Sequence, residues 1–260
     1  MTGNHFTAMG LPVHEQEDLP RVIGTALRAA STEPLGSRRT AATWRDGSGS
    51  GLDVLLRTAR WRGEPTVECA TPQFAGTLRQ TARVTSVLAD ECVGCTLIAV
   101  EVLQGSELVY PLVLAPARVA ALRRRLDELA KTGDPVEASI VFVAEDIDVY
   151  PDEAAFGAAQ DERAVAGGDG REPARLGAES LIPTGLFGAA PAPAALVNGT
   201  VTAARRVGND AFGTAFWHLT VRTFGGEYDV LADPDDVAEV PVGGVVAVQA
   251  WVCGQVAEVA

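Results

Sequence analysis

TARVTSVLADECVGCTLIAVEVLQGSELV, residues 81–109, and VTAARRVGNDAFGTAFWHLTVRTFGGEYD, residues 201–229, read as one unit written twice. Aligned without a gap, Val87 falls on Val207, Asp90 on Asp210, Gly105 on Gly225 and Glu107 on Glu227. Each copy runs through an apolar stretch, a polar break, a longer apolar stretch, a Gly-bearing turn and a further apolar stretch. Self-similarity at a fixed offset is the mark of a duplicated structural unit. Apolar runs of this length bounded by Gly, Asp and Asn predict antiparallel strands.

Outward from these stretches, the first copy predicts a strand over 78–88, a hairpin of 96–103 with 108–114, and a closing strand over 136–143. Between hairpin and closing strand, Val119, Leu122, Leu126 and Leu129 step by three and four and predict a helix over 117–131. Pro116 opens that helix and Gly133 closes it. The second copy predicts strands over 196–207, 215–223, 228–232 and 245–252. There Pro241 answers Pro135, so the first copy is longer by about the length of its helix.

A unit of strand, hairpin, optional helix and closing strand resembles a small Greek-key barrel of the OB type. The expected fold is α+β, mainly antiparallel β, with two tandem OB-like small barrels behind an N-terminal helix–hairpin module. The module occupies residues 1–75 and packs on the first barrel; the repeats occupy 76–150 and 194–260, joined by a linker with a short helix at 151–193. In the module, Leu19, Val22, Ile23, Ala26 and Leu27 have helical spacing behind Asp18 as N-cap and Pro20 in the first turn. Residues 31–40 read as loop, and 52–60 and 65–70 as two strands joined around Gly63, near Trp44 and Trp61. In the linker, a helical stretch over 154–160 precedes a Gly-rich segment, and Leu181, Ile182, Leu186 and Phe187 predict that its end packs onto a domain.

The stretches Asn4-His5-Phe6-Thr7-Ala8-Met9-Gly10-Leu11, Tyr150-Pro151-Asp152-Glu153-Ala154-Ala155-Phe156 and Ser180-Leu181-Ile182-Pro183-Thr184-Gly185-Leu186-Phe187, with Gly225-Gly226-Glu227-Tyr228-Asp229-Val230, resemble a family of uncharacterised bacterial proteins. That resemblance implies one full-length unit and transfers no functional residue.

At 260 residues the chain is long enough to bury its core without disulfide or metal support. Its net charge of −13 repels nucleic acid and anionic membranes and suits a protein partner, especially a basic one. The first residues carry neither a basic nor an apolar leader segment, and no apolar run has the length of a membrane span. A cytoplasmic location follows as the expectation, with no membrane partner and no cofactor.

Cys92-Val93-Gly94-Cys95 has redox-pair or half-zinc-site spacing. It lies between strands beside Asp90 and Glu91, which raise a thiol pKa, and Cys69 and Cys253 add no second pair at ligand spacing. Phe216 and His218 share a face of one strand of the second copy, and with Tyr228 they form a candidate ligand face on a barrel. Arg205-Arg206 and Arg118, Arg123, Arg124 and Arg125 are basic clusters that single-stranded nucleic acid would require, set against the acidic whole. The acidic stretches 145–148, 152–153 and 233–236 have no calcium-loop spacing and read as solvated surface charge, the last of them as a turn. No nucleophile or zinc-hydrolase motif occurs. The expected function is non-catalytic binding of a protein partner. The alternatives are a single-stranded nucleic-acid or small-ligand binder on a barrel face, and a thiol or zinc protein centred on Cys92 and Cys95.

Overall fold

The computed structural model describes residues 4–36, 38–58, 64–89, 96–166 and 175–257. A 3-10 turn at Thr7–Met9 leads to helix α1 (Leu19–Leu27) and strands β1 (Ser31–Pro34), β2 (Arg39–Arg45), β3 (Ser50–Arg57) and β4 (Thr66–Phe74). Then come β5 (Gln80–Ala89), β6 (Thr96–Gln104), β7 (Glu107–Pro116), α2 (Val119–Thr132), β8 (Pro135–Tyr150) and α3 (Glu153–Ala166). The chain continues through β9 (Ser180–Ile182), a 3-10 turn at Thr184–Leu186, β10 (Ala194–Asn209), β11 (Thr214–Thr223), β12 (Gly226–Ala232) and β13 (Val245–Val256). The fold is mostly antiparallel β, with two sheets and three helices among the described residues.

The N-terminal module differs from its expected form. Residues 31–45, expected to begin as loop, form β1 and β2, and β1–β4 make a four-stranded antiparallel meander. Short strands rich in Ser, Thr and Arg lack the apolar alternation that marks a strand, because one face of this sheet is not core. The other face is: Ala42, Trp44, Leu52 and Val54 pack on Val22, Ile23 and Ala26 of α1. Asp18 precedes α1 but does not cap it; its carboxylate accepts from the backbone N–H of His14 and Glu15. Gly63 and Trp61 lie outside the described residues.

All nine strands β5–β13 belong to one sheet, so the two halves do not close separately. Strand β8 gives one edge to β13, from Ala138 with Val256 to Tyr150 with Val245. Its other edge is divided: Pro135–Ala138 pair with β5, and Val141–Val143 pair in parallel with β12. Strand β13 divides its second edge in the same way, with β10 along Val245–Trp251 and then in parallel with β7 at Cys253 and Gly254. The hairpins complete two closed, barrel-like circuits: β5-β6-β7-β13-β8, and β10-β11-β12-β8-β13. The first strand of each half carries a bulge, between Val84 and Ser86 and between Val201 and Ala203.

Gly105 (φ 64°) and Gly225 (φ 87°) provide the left-handed backbone at the two hairpin tips. In the second copy the tip is Phe224-Gly225, one residue earlier than the gapless alignment places it. Helix α2 ends as expected, Gly133 at φ 69° donating its N–H to Leu129. It begins differently: Pro116 closes β7, and Arg118 turns the chain at φ 53°. Helix α3 runs past the expected 160 to Ala166, and β9 joins the edge of β10, so part of the linker is sheet. Leu181 packs on the core, whereas Phe187 is 75% exposed.

One apolar cluster joins both halves, from Ile98, Leu112 and Phe142 to Leu219, Tyr228 and Val252. The N-terminal module packs on both halves rather than on the first alone: Ala8, Met9 and Phe74 pack with Val113, Val141, Phe216 and Cys253. Trp44 meets Phe212 edge-on at 5.5 Å.

Gly254 sits where β7, β8 and β13 converge. It accepts from the Ala117 N–H at 2.8 Å, and a Cβ there would collide with the Ser139 carbonyl. Gly254→Val is expected to cost at least about 1–3 kcal/mol, the range for overpacking. Gly157→Ala, in α3 with open space at the Cβ, is expected to stabilise by about 0.5–1 kcal/mol. Urea unfolding of both variants checks the contrast.

Candidate functional site

The residues expected to form a ligand face do not form one. Phe216 and Tyr228 are fully buried, and His218 is 4% exposed. Phe216 and His218 do share a face, and both meet the Phe74 ring edge-on, at 5.9 and 5.1 Å. Tyr228 turns to the other side, edge-on to Phe142 at 5.4 Å and hydrogen-bonded to the Tyr110 hydroxyl. Strand alternation located the face of β11 correctly, but the N-terminal module covers it, a long-range contact that periodicity does not carry. Burial, with Tyr228 beside it, pushes the Tyr110 phenol far above its ordinary value.

Beneath the module lies a chain of polar groups that sequence reading did not find. Asp229, on β12, is fully buried. It accepts from the Thr77 N–H (2.6 Å), the Thr77 hydroxyl (2.7 Å) and the Leu78 N–H (3.1 Å). His218 Nε2 is 2.6 Å from Asp229 Oδ1. The other ring nitrogen, Nδ1, faces Arg205 Nη2 at 2.7 Å and Nε at 3.1 Å. A guanidinium only donates, so Nδ1 accepts and Nε2–H donates to the carboxylate. Burial pushes the Asp229 carboxyl up, but the hydrogen bonds from His218, Thr77 and Leu78 outweigh it and hold the group below the usual carboxylate range. The available signal was Asp229 itself, one charge within the apolar run Tyr228–Ala232 on the side of Leu231.

A His–Asp pair beside a hydroxyl has the composition of a nucleophilic site, but the geometry is of another kind. The Thr77 hydroxyl donates to the carboxylate instead of facing the imidazole, and His218 and Asp229 are both closed off from solvent. The cluster is a clamp: it ties the strand entry after the N-terminal module to β11 and β12 of the second half.

Cys92 and Cys95 lie outside the described residues. Cys69, on β4, is disulfide-bonded. Cys253 is free and buried, and burial pushes its thiol up to about 12, which makes it inert at neutral pH. Among the described residues no group of three or more His, Cys, Asp or Glu could hold a metal ion, and no helix is long and apolar enough to cross a membrane.

The expected basic cluster at α2 is ion-paired in place. Arg123 pairs with Asp127, Arg124 and Arg125 with Glu128, and Arg118 with Glu33. Arg205 donates to the neutral His218 ring and keeps its charge, and Arg206 is exposed with no ion pair among the described residues.

Among the described residues six large apolar side chains are exposed, and four of them sit on segments that meet at β7. Leu108 (53%) lies on β7, and Phe224 (53%) precedes Gly225, which abuts Val109 and Tyr110. Leu186 ends, and Phe187 follows, the 3-10 turn at Thr184–Leu186 that packs on β7. Glu107 and Glu227 flank the two hairpin ends, exposed and in no ion pair among the described residues.

Comparison with family models, with curated proteins and with solved structures finds no match for the chain.

The clamp carries a pH signature. A depressed folded-state carboxylate adds stability that is complete above its unfolded value of about 3.9, and that is lost as pH falls through the lower folded value. Asp229→Asn is expected to cost about 1–3 kcal/mol near neutrality, because buried donors lose their acceptor. The gap from wild type should narrow below about pH 4. Urea midpoints measured along an acid series check both; a gap independent of pH contradicts the assignment.

Proposed function

We propose that the protein is a non-catalytic binding module that docks a basic protein partner on the surface around β7. The observation that carries this reading is the gathering of Leu108, Phe224, Leu186 and Phe187 on segments that meet there, beside Glu107 and Glu227. Exposed apolar groups rimmed by charge are characteristic of recognition surfaces. The net charge of −13 supplies long-range attraction for a cationic partner and speeds its approach.

Other features support the same reading. The His218–Asp229 pair is spent on fold closure, which favours binding over catalysis. The α2 arginines are paired with carboxylates and the net charge is −13, which favours protein over nucleic acid. Burial of Phe216, His218 and Tyr228 weighs against a small ligand on that barrel face.

The scaffold reads as two copies of an OB-like barrel that exchange closing strands. In each copy the first strand pairs with the second and the second with the third. The third runs parallel to a closing strand, and in the first copy a helix joins third to fourth. The chain works in the cytoplasm on this reading, with one condition: the Cys69 disulfide is transient in a reducing compartment.

The test is capture from lysate of the source organism with wild type, the pair Leu108→Asp/Phe224→Asp, and the control pair Val67→Asp/Val242→Asp, whose parent residues are also exposed. A basic protein held near one-to-one by wild type and control, eluted by salt and lost at least about tenfold by the β7 pair, is the expected outcome. Retention unaffected by the β7 pair, or no stoichiometric basic partner, overturns the reading. So does a dimer in light scattering that the β7 pair dissociates.

A further inference from the structure

We infer that the cleft between the N-terminal sheet and α2 is a binding site for a compact primary amine, preferentially one with a carboxylate at its far end. The site is separate from the β7 surface and independent of the reading given to it.

The cleft follows from strand register. One face of the four-stranded sheet packs on α1. On the opposite face Ser31 stands against Thr43, Thr43 against Asp53 and Asp53 against Thr71, so one polar row crosses all four strands. Directly opposed residues of neighbouring strands have Cβ atoms about 4.5–5.5 Å apart, so the Asp53 carboxylate lies between two hydroxyl-bearing neighbours. The start of α2 forms the facing wall, where the small side chains of Ala120 and Ala121 leave space. The volume of this open cleft is about 550 Å³, within the usual span for small-molecule sites of roughly 300–1,000 Å³.

The charges in the cleft show what it lacks. Arg39 is held by Glu68 at 2.8 Å, Arg118 meets Glu33 at 3.8 Å, and Arg123 meets Asp127 at 3.2 Å. Asp53 is half satisfied: Oδ2 accepts from the Arg118 N–H at 2.7 Å, and Oδ1 is buried with no partner. A buried carboxylate oxygen without a donor costs free energy. Arg118 is also the one non-glycine residue at positive φ among the described residues, at 53°. That conformation costs about 1–2 kcal/mol, and in it the Arg118 N–H reaches Asp53. Local strain of this kind is concentrated at ligand clamps.

A primary ammonium in the cleft adds a donor to the Asp53 carboxylate that lines it and has further N–H groups for flanking hydroxyls such as Thr43. The arginines on the cleft wall then face the far end of the occupant. Arg123, on α2, is 46% exposed, so its guanidinium has room to accept a second anion beside Asp127.

The experiment uses the full chain and calorimetric titration with glycine, γ-aminobutyrate, ε-aminocaproate, n-hexylamine and caproate. At least one amino acid is expected to bind saturably and more tightly than n-hexylamine, with caproate silent. Asp53→Asn keeps an acceptor for the Arg118 N–H and should weaken binding about tenfold or more. Ala121→Phe fills the cleft without touching Asp53 and should abolish binding while the far-ultraviolet spectrum is retained. No binding by any amine, equal binding by caproate, or binding that survives Asp53→Asn in a folded variant each overturns the assignment.

Discussion

The shared ladder between β8 and β13 is the constraint on which the rest of the structure depends. A strand has two edges, and in a simple barrel each edge has one neighbour. Here each of the two strands serves three neighbours, because its second edge is divided along its length. That requires unusual length, and β8 has 16 residues. It also requires a residue without a side chain at the crossing point. Gly254 meets that need against the Ser139 carbonyl. Neither circuit can close without a strand from the other half, so the two halves are expected to fold as one cooperative unit.

Closure of the sheet leaves a second problem, the outer face of β11, which carries Phe216 and His218. The N-terminal module covers it with Met9 and Phe74. The Asp229 clamp fixes the chain where it leaves the module at Thr77 and Leu78. A buried carboxylate is costly unless several donors compensate it, and here four do. One acidic group thereby links β12, β11 and the entry to β5. This arrangement specifies position more than it adds stability, since an apolar replacement of the whole cluster could serve packing equally well.

Much of the fold was legible in the sequence. The likeness of 81–109 to 201–229 and the apolar runs around them located all eight strands of the paired halves, because apolar runs bounded by Gly turns report local pairing directly. The α2 stripe and its Gly133 terminus were legible for the same reason. The closing strands were too short in the sequence reading because β8 continues through Glu145-Asp146-Ile147-Asp148, where charges alternate with apolar residues on a sheet face open to water. Strands β1 and β2 were missed because Ser31-Thr32-Glu33-Pro34 has neither apolar content nor alternation. The candidate ligand face was legible only by half: period two put Phe216 and His218 together, but what covers them, Phe74 and Met9, comes from far earlier in the chain. Asp53 was invisible as a site residue for a related reason, since its cross-strand neighbours Thr43 and Thr71 are assembled by register alone.

The two halves share their strand pairing pattern, and the proposed recognition features lie where that likeness fails. The first copy has α2 and the second has no counterpart; that helix is the wall the N-terminal sheet needs to enclose a cleft. The second copy has its β11 face covered by the module. The linker, with its 3-10 turn against β7, adds Leu186 and Phe187 to hairpin ends that otherwise correspond between copies. A symmetric pair of closed circuits has few concave or apolar surfaces of its own, because its side chains are spent on one continuous core. Insertions that break the pairing pattern do not have to satisfy that core, so they are free to carry chemistry. On the proposed reading the paired strands act as a frame, and specificity resides in the helix, the N-terminal sheet and the linker around it.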